Sequence, residues 1–244
     1  MPVLCAGIAI SFVGFSCQAA SPGGEKTTAG DKNLGLMSVS GRWGFRPAKK
    51  YHEGRPRVLL VGDSICSQYS KPVIKRLGDM ADVDVWVTGK NLASKDLPEL
   101  LDAALSQGPY DVIHFNIGLH GWAKGRIPKG QYRPLLEKYV KTYKEKAPGA
   151  TLIWASTTTI GLGKQEPDKP DPVNNPTIVK RNKIAAEVMR TNGVEINDLY
   201  ALADKHWDLK RDKFHWNGKG VDILADAVAA KVKEALGKRK QAHP

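Results

Sequence analysis

Cysteine is scarce in this chain. Of three cysteines in 244 residues, Cys5 and Cys17 fall in the first twenty and Cys66 stands alone. A lone thiol makes no internal disulfide, so the folded domain must rest on its hydrophobic core. No apolar run offers a comfortable transmembrane span. No pair of histidines stands at metal-ligand spacing with a carboxylate, so no metal is expected. Zinc-finger spacing, an RNP-like motif, a heptad-linked basic region and internal repeats are all missing, which argues against the common nucleic-acid modules. No long apolar lid segment is present either.

Charge is present in excess of one sign. A net +12 arises from 37 basic against 25 acidic residues. Many basic residues lie before the first strand, in "RPAKKYHEGRPR", and in the C-terminal "KVKEALGKRK". A solvated basic surface accounts for them as well as a functional one does. Such a surface would also draw an anionic polysaccharide or an acidic cell envelope.

Residues 1–20, "MPVLCAGIAISFVGFSCQAA", carry no charged side chain. The run is short and only moderately apolar, and small residues follow it. It reads as a signal peptide cleaved after Ala19 or Ala20, giving a secreted or periplasmic protein. Gly14-Phe15-Ser16 before Cys17 lacks the leucine of a lipobox, which argues against lipidation. Residues 21–55, rich in Gly, Ser, Lys and Thr, read as a linker and N-terminal extension grading into an edge segment. Residues 56–237 form the expected domain, and 238–244 a basic tail.

Within that domain, apolar runs alternate with helical patterns. Strands are expected at 57–61, 83–87, 110–118, 151–157 and 194–198. Helices are expected from about Gln68 to Leu77, from an Asp96-x-x-Glu99 capping box to Leu105, around Leu135–Tyr143, from Asn175-Pro176 to Gly193, and from Lys219 onward. Near-continuous apolar strands separated by helices predict a central, mostly parallel sheet of about five strands in a three-layer α/β/α sandwich. The loop 161–174 is long for a plain connection and is a candidate binding rim.

In such sheets ligands bind beyond the carboxyl ends of the strands. The first strand ends in Gly62-Asp63-Ser64, the second in Thr88-Gly89-Lys90-Asn91, and the third in Asn116-Ile117-Gly118-Leu119-His120-Gly121-Trp122. Asp212-x-x-His215 lies just before the last helix. A serine at a strand-to-helix turn offers a backbone N–H at a partially positive helix start and a hydroxyl open to a base. Serine needs that base to become a nucleophile, and histidine titrates in the right range. Asp212 would hold one ring nitrogen of His215 and leave the other for Ser64. Each motif alone is equally a turn serine or a capping aspartate. Their joint occurrence, in order and at the expected strand ends, is far more specific.

At these residues the chain resembles the SGNH (GDSL-type) hydrolases. "VLLVGDSI" resembles the family's first block, "DVIHFNIGLHGW" the third and "RDKFHWNGKG" the last. The likeness runs from about Arg57 to Leu236. It implies a flavodoxin-like sheet and an ester-hydrolysing Ser64–His215–Asp212 triad that needs no cofactor. Two blocks depart from the pattern. The third places His120 where the family has an oxyanion-binding Asn, with Asn116 as the alternative donor. In the blurred second block, Gly89 or Asn91 would face the oxyanion beside the Ser64 N–H.

Trp122 and Trp216 adjoin these blocks and would either stack on sugar rings or pack the loops. Cys66 reads as small apolar filler, His114 as a core residue, His206 as a rim residue, and His52 and His243 as parts of flexible ends. Together with a signal peptide and basic surface, the tryptophans favour an O-acetyl ester of a carbohydrate, neutral or anionic, as substrate. Lipid or aryl esters, a non-catalytic glycan-binding module on the same fold, and a nucleic-acid binder are the other readings.

Overall fold

Arg57–Gly62 is the central strand, β2, and its residues decide how the layers form. Val58 and Leu60 point to one face and Leu59 and Val61 to the other, all fully buried. A strand apolar on both sides needs a helical layer on each. The computed structural model describes Met1 and residues 43–242, and in it both layers are present.

The strands are β1 (Gly44–Arg46), β2, β3 (Asp82–Val87), β4 (Val112–Phe115), β5 (Thr151–Ala155) and β6 (Glu195–Asn197). The helices are α1 (Ser64–Leu77), α2 (Leu97–Leu105), α3 (Tyr132–Lys146), α4 (Asn175–Thr191), α5 (Leu199–Ala203) and α6 (Gly218–Ala242). The sheet order is β1-β3-β2-β4-β5-β6. All pairings are parallel except β1 with β3. Apart from β1 this is the doubly wound flavodoxin-like order, so the chain reverses direction across the sheet at β2. One core joins β2, α1 and α6 through residues such as Tyr69, Val73, Leu224 and Val228. The other joins Leu59, Val61, Phe115, Leu136, Tyr143 and Val188 on the opposite face.

The five expected strands are all found, with ends shifted by a few residues. A sixth, β1, lies where a linker grading into an edge was expected. Its neighbours are anchored at the foot of the sheet. Asp84, fully buried, accepts from Arg57 Nη2 at 2.6 Å, Tyr51 Oη at 2.9 Å and the Ala48 N–H at 2.8 Å. His52, expected in a flexible end, instead meets Asp82 through its backbone N–H at 2.6 Å and its Nδ1 at 2.8 Å. The buried carboxylates recruit these groups because leaving them unpaired would be costly.

Helix α1 begins at Ser64 rather than Gln68, because Asp63 caps it by accepting from the Ile65 N–H at 2.8 Å. Asp96 makes no side-chain cap on α2 and pairs with Lys90 Nζ at 2.5 Å instead. Residues 238–242, expected in a basic tail, continue α6. The expected signal peptide, most of the linker and His243 lie outside the described residues. Among the described residues, no helix is long and apolar enough to cross a membrane.

Candidate active site

The β2–α1 turn has little room. A Cβ on Gly62 would stand 2.5 Å from the Cys66 Cβ, so glycine is required for the helix to start this close to the strand. That tight turn puts Ser64 in the first turn of α1, where its N–H has no acceptor within the helix. Cys66 packs beneath it, 2 % exposed, and burial pushes its thiol up to about 12, a filler rather than a nucleophile.

The segment before α6 supplies the other two groups. Asp212 Oδ1 accepts from the backbone N–H of Phe214 at 2.9 Å and of His215 at 2.8 Å, which curls the loop into a tight turn. The curl brings His215 Nδ1 to 2.9 Å from Asp212 Oδ1 and 3.0 Å from Oδ2. His215 Nε2 then lies 2.9 Å from Ser64 Oγ, across 151 residues of chain. Partial burial opposes ionisation of Asp212, but the N–H donors of His215 and Phe214, with the imidazole, outweigh it and hold the carboxyl at about 2. Hydrogen bonds to a charged group contribute roughly 1.5–3 kcal/mol each, enough for this order of effects. Asp212 is therefore a fixed anion behind the ring. Asp63 differs: burial pushes its carboxyl up, against the Ile65 N–H and the nearby His120 and His215.

The remaining expected site residues divide. His120 and Trp122 line the same cavity as Ser64 and His215, together with Trp43, Leu119 and Phe214; its volume is about 130 Å³. A Cβ on Gly89 would stand 3.8 Å from His120 Cε1, so Gly89 also borders this mouth. Trp122 is tilted on Phe214 with ring centres 5.5 Å apart, and Lys213 Nζ lies 5.1 Å from its ring. The Arg181 guanidinium donates to the Gly121 carbonyl and so pins the loop carrying His120.

Asn116 and Trp216 are not available. Asn116 gives both amide hydrogens to the strand end beside it, to Ala155 O at 2.7 Å and Thr157 Oγ1 at 3.2 Å. It ties β4 to β5 and cannot also serve an oxyanion. Thr157 comes this close because Gly118 has no side chain; a Cβ there would meet Thr157 Oγ1 at 1.6 Å. Trp216 is 2 % exposed and belongs to the α1–α6 core. Lys210 and Trp216 form a short antiparallel bridge, and in such extended backbone neighbours point opposite ways. His215 faces the cleft, so Trp216 faces the core. His114 is also buried; burial pulls it down to about 3, and its Nε2 meets Asn197 Nδ2 at 3.2 Å.

Sequence reasoning missed three contributors. Trp43 meets His120 edge-on, ring centres 5.2 Å apart, and reaches the site only through the pairing of β1 with β3. Phe214 and Lys210 lie in the motif loop, but nothing local marks them. Among the described residues, no group of three or more His, Cys, Asp or Glu side chains could hold a metal ion.

Solved structures share this architecture. An alpha/beta hydrolase enzyme, LAE5, from the metagenome of Lake Arreo, Spain, superposes with TM-score 0.60 at 15 % identity, covering 77 % of this chain and 97 % of its own. An acetyl xylan esterase, AlAXEase, gives 0.59 at 16 %, covering 72 % and 99 %. A candidate GDSL-like lipase from Parabacteroides merdae ATCC 43184 gives 0.56 at 15 %, covering 75 % and 95 %. No family model matches the chain, and no curated protein matches it in sequence. The chain has the three-layer α/β/α fold of the SGNH hydrolases. At such low identity the likeness is one of fold, and the chemistry has to be argued from the site.

Proposed function

We propose that the chain is a carboxylic-ester hydrolase of the SGNH type that removes short acyl groups, most simply O-acetyl groups, from a carbohydrate. The observation that carries this reading is the continuous line from Asp212 through His215 to Ser64, each link at hydrogen-bond distance. In the proposed reaction the Ser64 hydroxyl attacks the ester carbonyl while His215 Nε2 takes its proton. Asp212 holds Nδ1–H and stabilises the imidazolium that forms. The oxyanion lies against the Ser64 N–H, the Gly89 N–H and a ring N–H of His120. His215 returns the proton to the leaving alcohol, then activates a water that releases the acid and frees Ser64.

A cavity of about 130 Å³ walled by Trp43, Leu119, Trp122 and Phe214 supports a short acyl chain over a fatty one. The likeness to an acetyl xylan esterase agrees with an acetylated sugar. Arg126, 5.9 Å from the Trp122 ring, favours an anionic glycan, whereas Lys213 beside the same ring is already paired with Asp171 at 2.7 Å. Residues 1–20 as a signal peptide, with export to the periplasm or medium, fit a polysaccharide substrate and belong to the same reading.

The test is a chain-length series of p-nitrophenyl esters beside acetate release from acetylated glycans. Acetate is expected to be turned over at least about tenfold faster than octanoate, a difference of about 1.4 kcal/mol in the barrier. Equal or better turnover of octanoate would turn the assignment toward lipid esters. No hydrolysis of any ester would leave a glycan-binding module.

The oxyanion role of His120 has its own test. His120→Ala is expected to lower kcat by roughly 10²–10³ with KM little changed, and His120→Asn to recover much of it, because an amide N–H can donate from the same loop. An alanine variant as fast as the wild type would leave the oxyanion to backbone donors alone.

A further inference from the structure

Lys210 is a buried cation outside the reaction described above. It is 6 % exposed, and among the described residues no carboxylate pairs with it. Its Nζ donates to the Thr159 carbonyl at 2.6 Å and the Phe214 carbonyl at 3.1 Å, and stands 4.5 Å from the centre of the buried Trp216 ring. A lysine held this way is costly, since desolvating an ammonium without a counter-ion is strongly unfavourable.

The Phe214 carbonyl belongs to the peptide that leads into His215. The N–H of that same peptide donates to Asp212 Oδ1 at 2.8 Å. One peptide plane thus has an ammonium on its oxygen and a carboxylate on its nitrogen. Charge of opposite sign at the two ends fixes both the position and the rotation of the plane. The imidazole hangs from the next Cα, so its reach to Ser64 Oγ follows from how this plane is held. Thr159 O couples the arrangement to the segment after β5, so the loop is referenced to the sheet.

We propose that Lys210 is a positioning residue for His215, clamping the carbonyl side of the Phe214–His215 peptide opposite Asp212. The kinetic part of this inference rests on the ester-hydrolase reading above; the structural part does not. Charged or neutral, the Lys210 nitrogen keeps the N–H bonds that the Thr159 and Phe214 carbonyls accept. Burial pulls Lys210 down to about 7, while Asp212, the charged group that bears on it, works in the other direction. The segment contributing Thr159 presents it with only a neutral carbonyl.

The experiment compares wild type, Ser64→Ala and Lys210→Met in p-nitrophenyl acetate hydrolysis and in amide hydrogen exchange. Lys210→Met is expected to lower kcat about 10–100-fold with KM within about threefold, as a small displacement of a reacting group does. Exchange at the His215 amide should quicken at least about tenfold while Val58–Val61 amides are unchanged. Lys210→Gln, which keeps a neutral NH₂ donor group, should fall between the two in both measurements. Unchanged His215 exchange and kcat in a folded Lys210→Met would overturn the proposal. Should neither variant fold, the unaltered protein decides: a His215 amide exchanging as fast as those of an open loop overturns the clamp, and one protected like the sheet supports it. Absence of Ser64-dependent turnover in the wild type would sink the hydrolase reading alone, since the exchange arm judges the clamp independently.

Discussion

Ser64→Ala is expected to lower turnover of p-nitrophenyl acetate by roughly 10⁴–10⁶, and His215→Ala by a similar factor. The two losses should not add, because the hydroxyl is nucleophilic only while the imidazole takes its proton. Single-turnover measurements on the double variant would show this as a rate close to that of either single variant. The serine substitution should leave the fold intact. Alanine suits the first turn of a helix, and the cap on α1 comes from Asp63, not from Ser64. An unchanged melting temperature would accompany the loss. Activity within tenfold of the wild type would remove Ser64 as nucleophile, whatever its distance to His215.

Asp212→Asn should cost less, about 10³–10⁴ in kcat. An amide can still accept the backbone N–H groups of Phe214 and His215 through its oxygen. It cannot at the same time enforce a hydrogen on His215 Nδ1 or balance the imidazolium. The acid dependence of stability offers a second readout. The folded carboxyl is held at about 2 against an ordinary 3.8, so its contribution is complete above about pH 4 and is lost as pH falls through about 2. The melting-temperature gap between wild type and Asp212→Asn should therefore be largest at neutral pH and narrow toward pH 2. A gap that widens on acidification would contradict the hydrogen bonding described for Asp212. A kcat loss under tenfold would mean that His215 is oriented by packing alone.

How far the site was legible can be judged residue by residue. Gly62-Asp63-Ser64 and Asp212-x-x-His215 are short-range features. Tight turns and first-turn caps depend on a few neighbours, so their residue types carry the information. The doubly wound sheet was legible for a similar reason: apolar runs bounded by helical patterns restrict the strands to a parallel sheet covered on both faces. Asn116 stands just after β4, where an oxyanion donor is expected, yet Ala155 at the end of β5 and Thr157 just beyond it consume its hydrogens. Trp216, expected at the rim, was turned inward by its bridge to Lys210. Trp43 falls in a stretch of linker-like composition, because the three-residue edge strand that follows it has no periodicity to detect.

By itself, then, the chain's order of residues determined which layers form and where a serine, a histidine and an aspartate would be offered, because periodicity and turn chemistry act over a few positions. Tertiary structure alone decided that Ser64 and His215 meet, that Trp43 walls their cavity, and that Lys210 holds a peptide instead of facing water. Those outcomes depend on which strands become neighbours and which groups compete for the same hydrogens, and such competition is settled only when distant segments pack together.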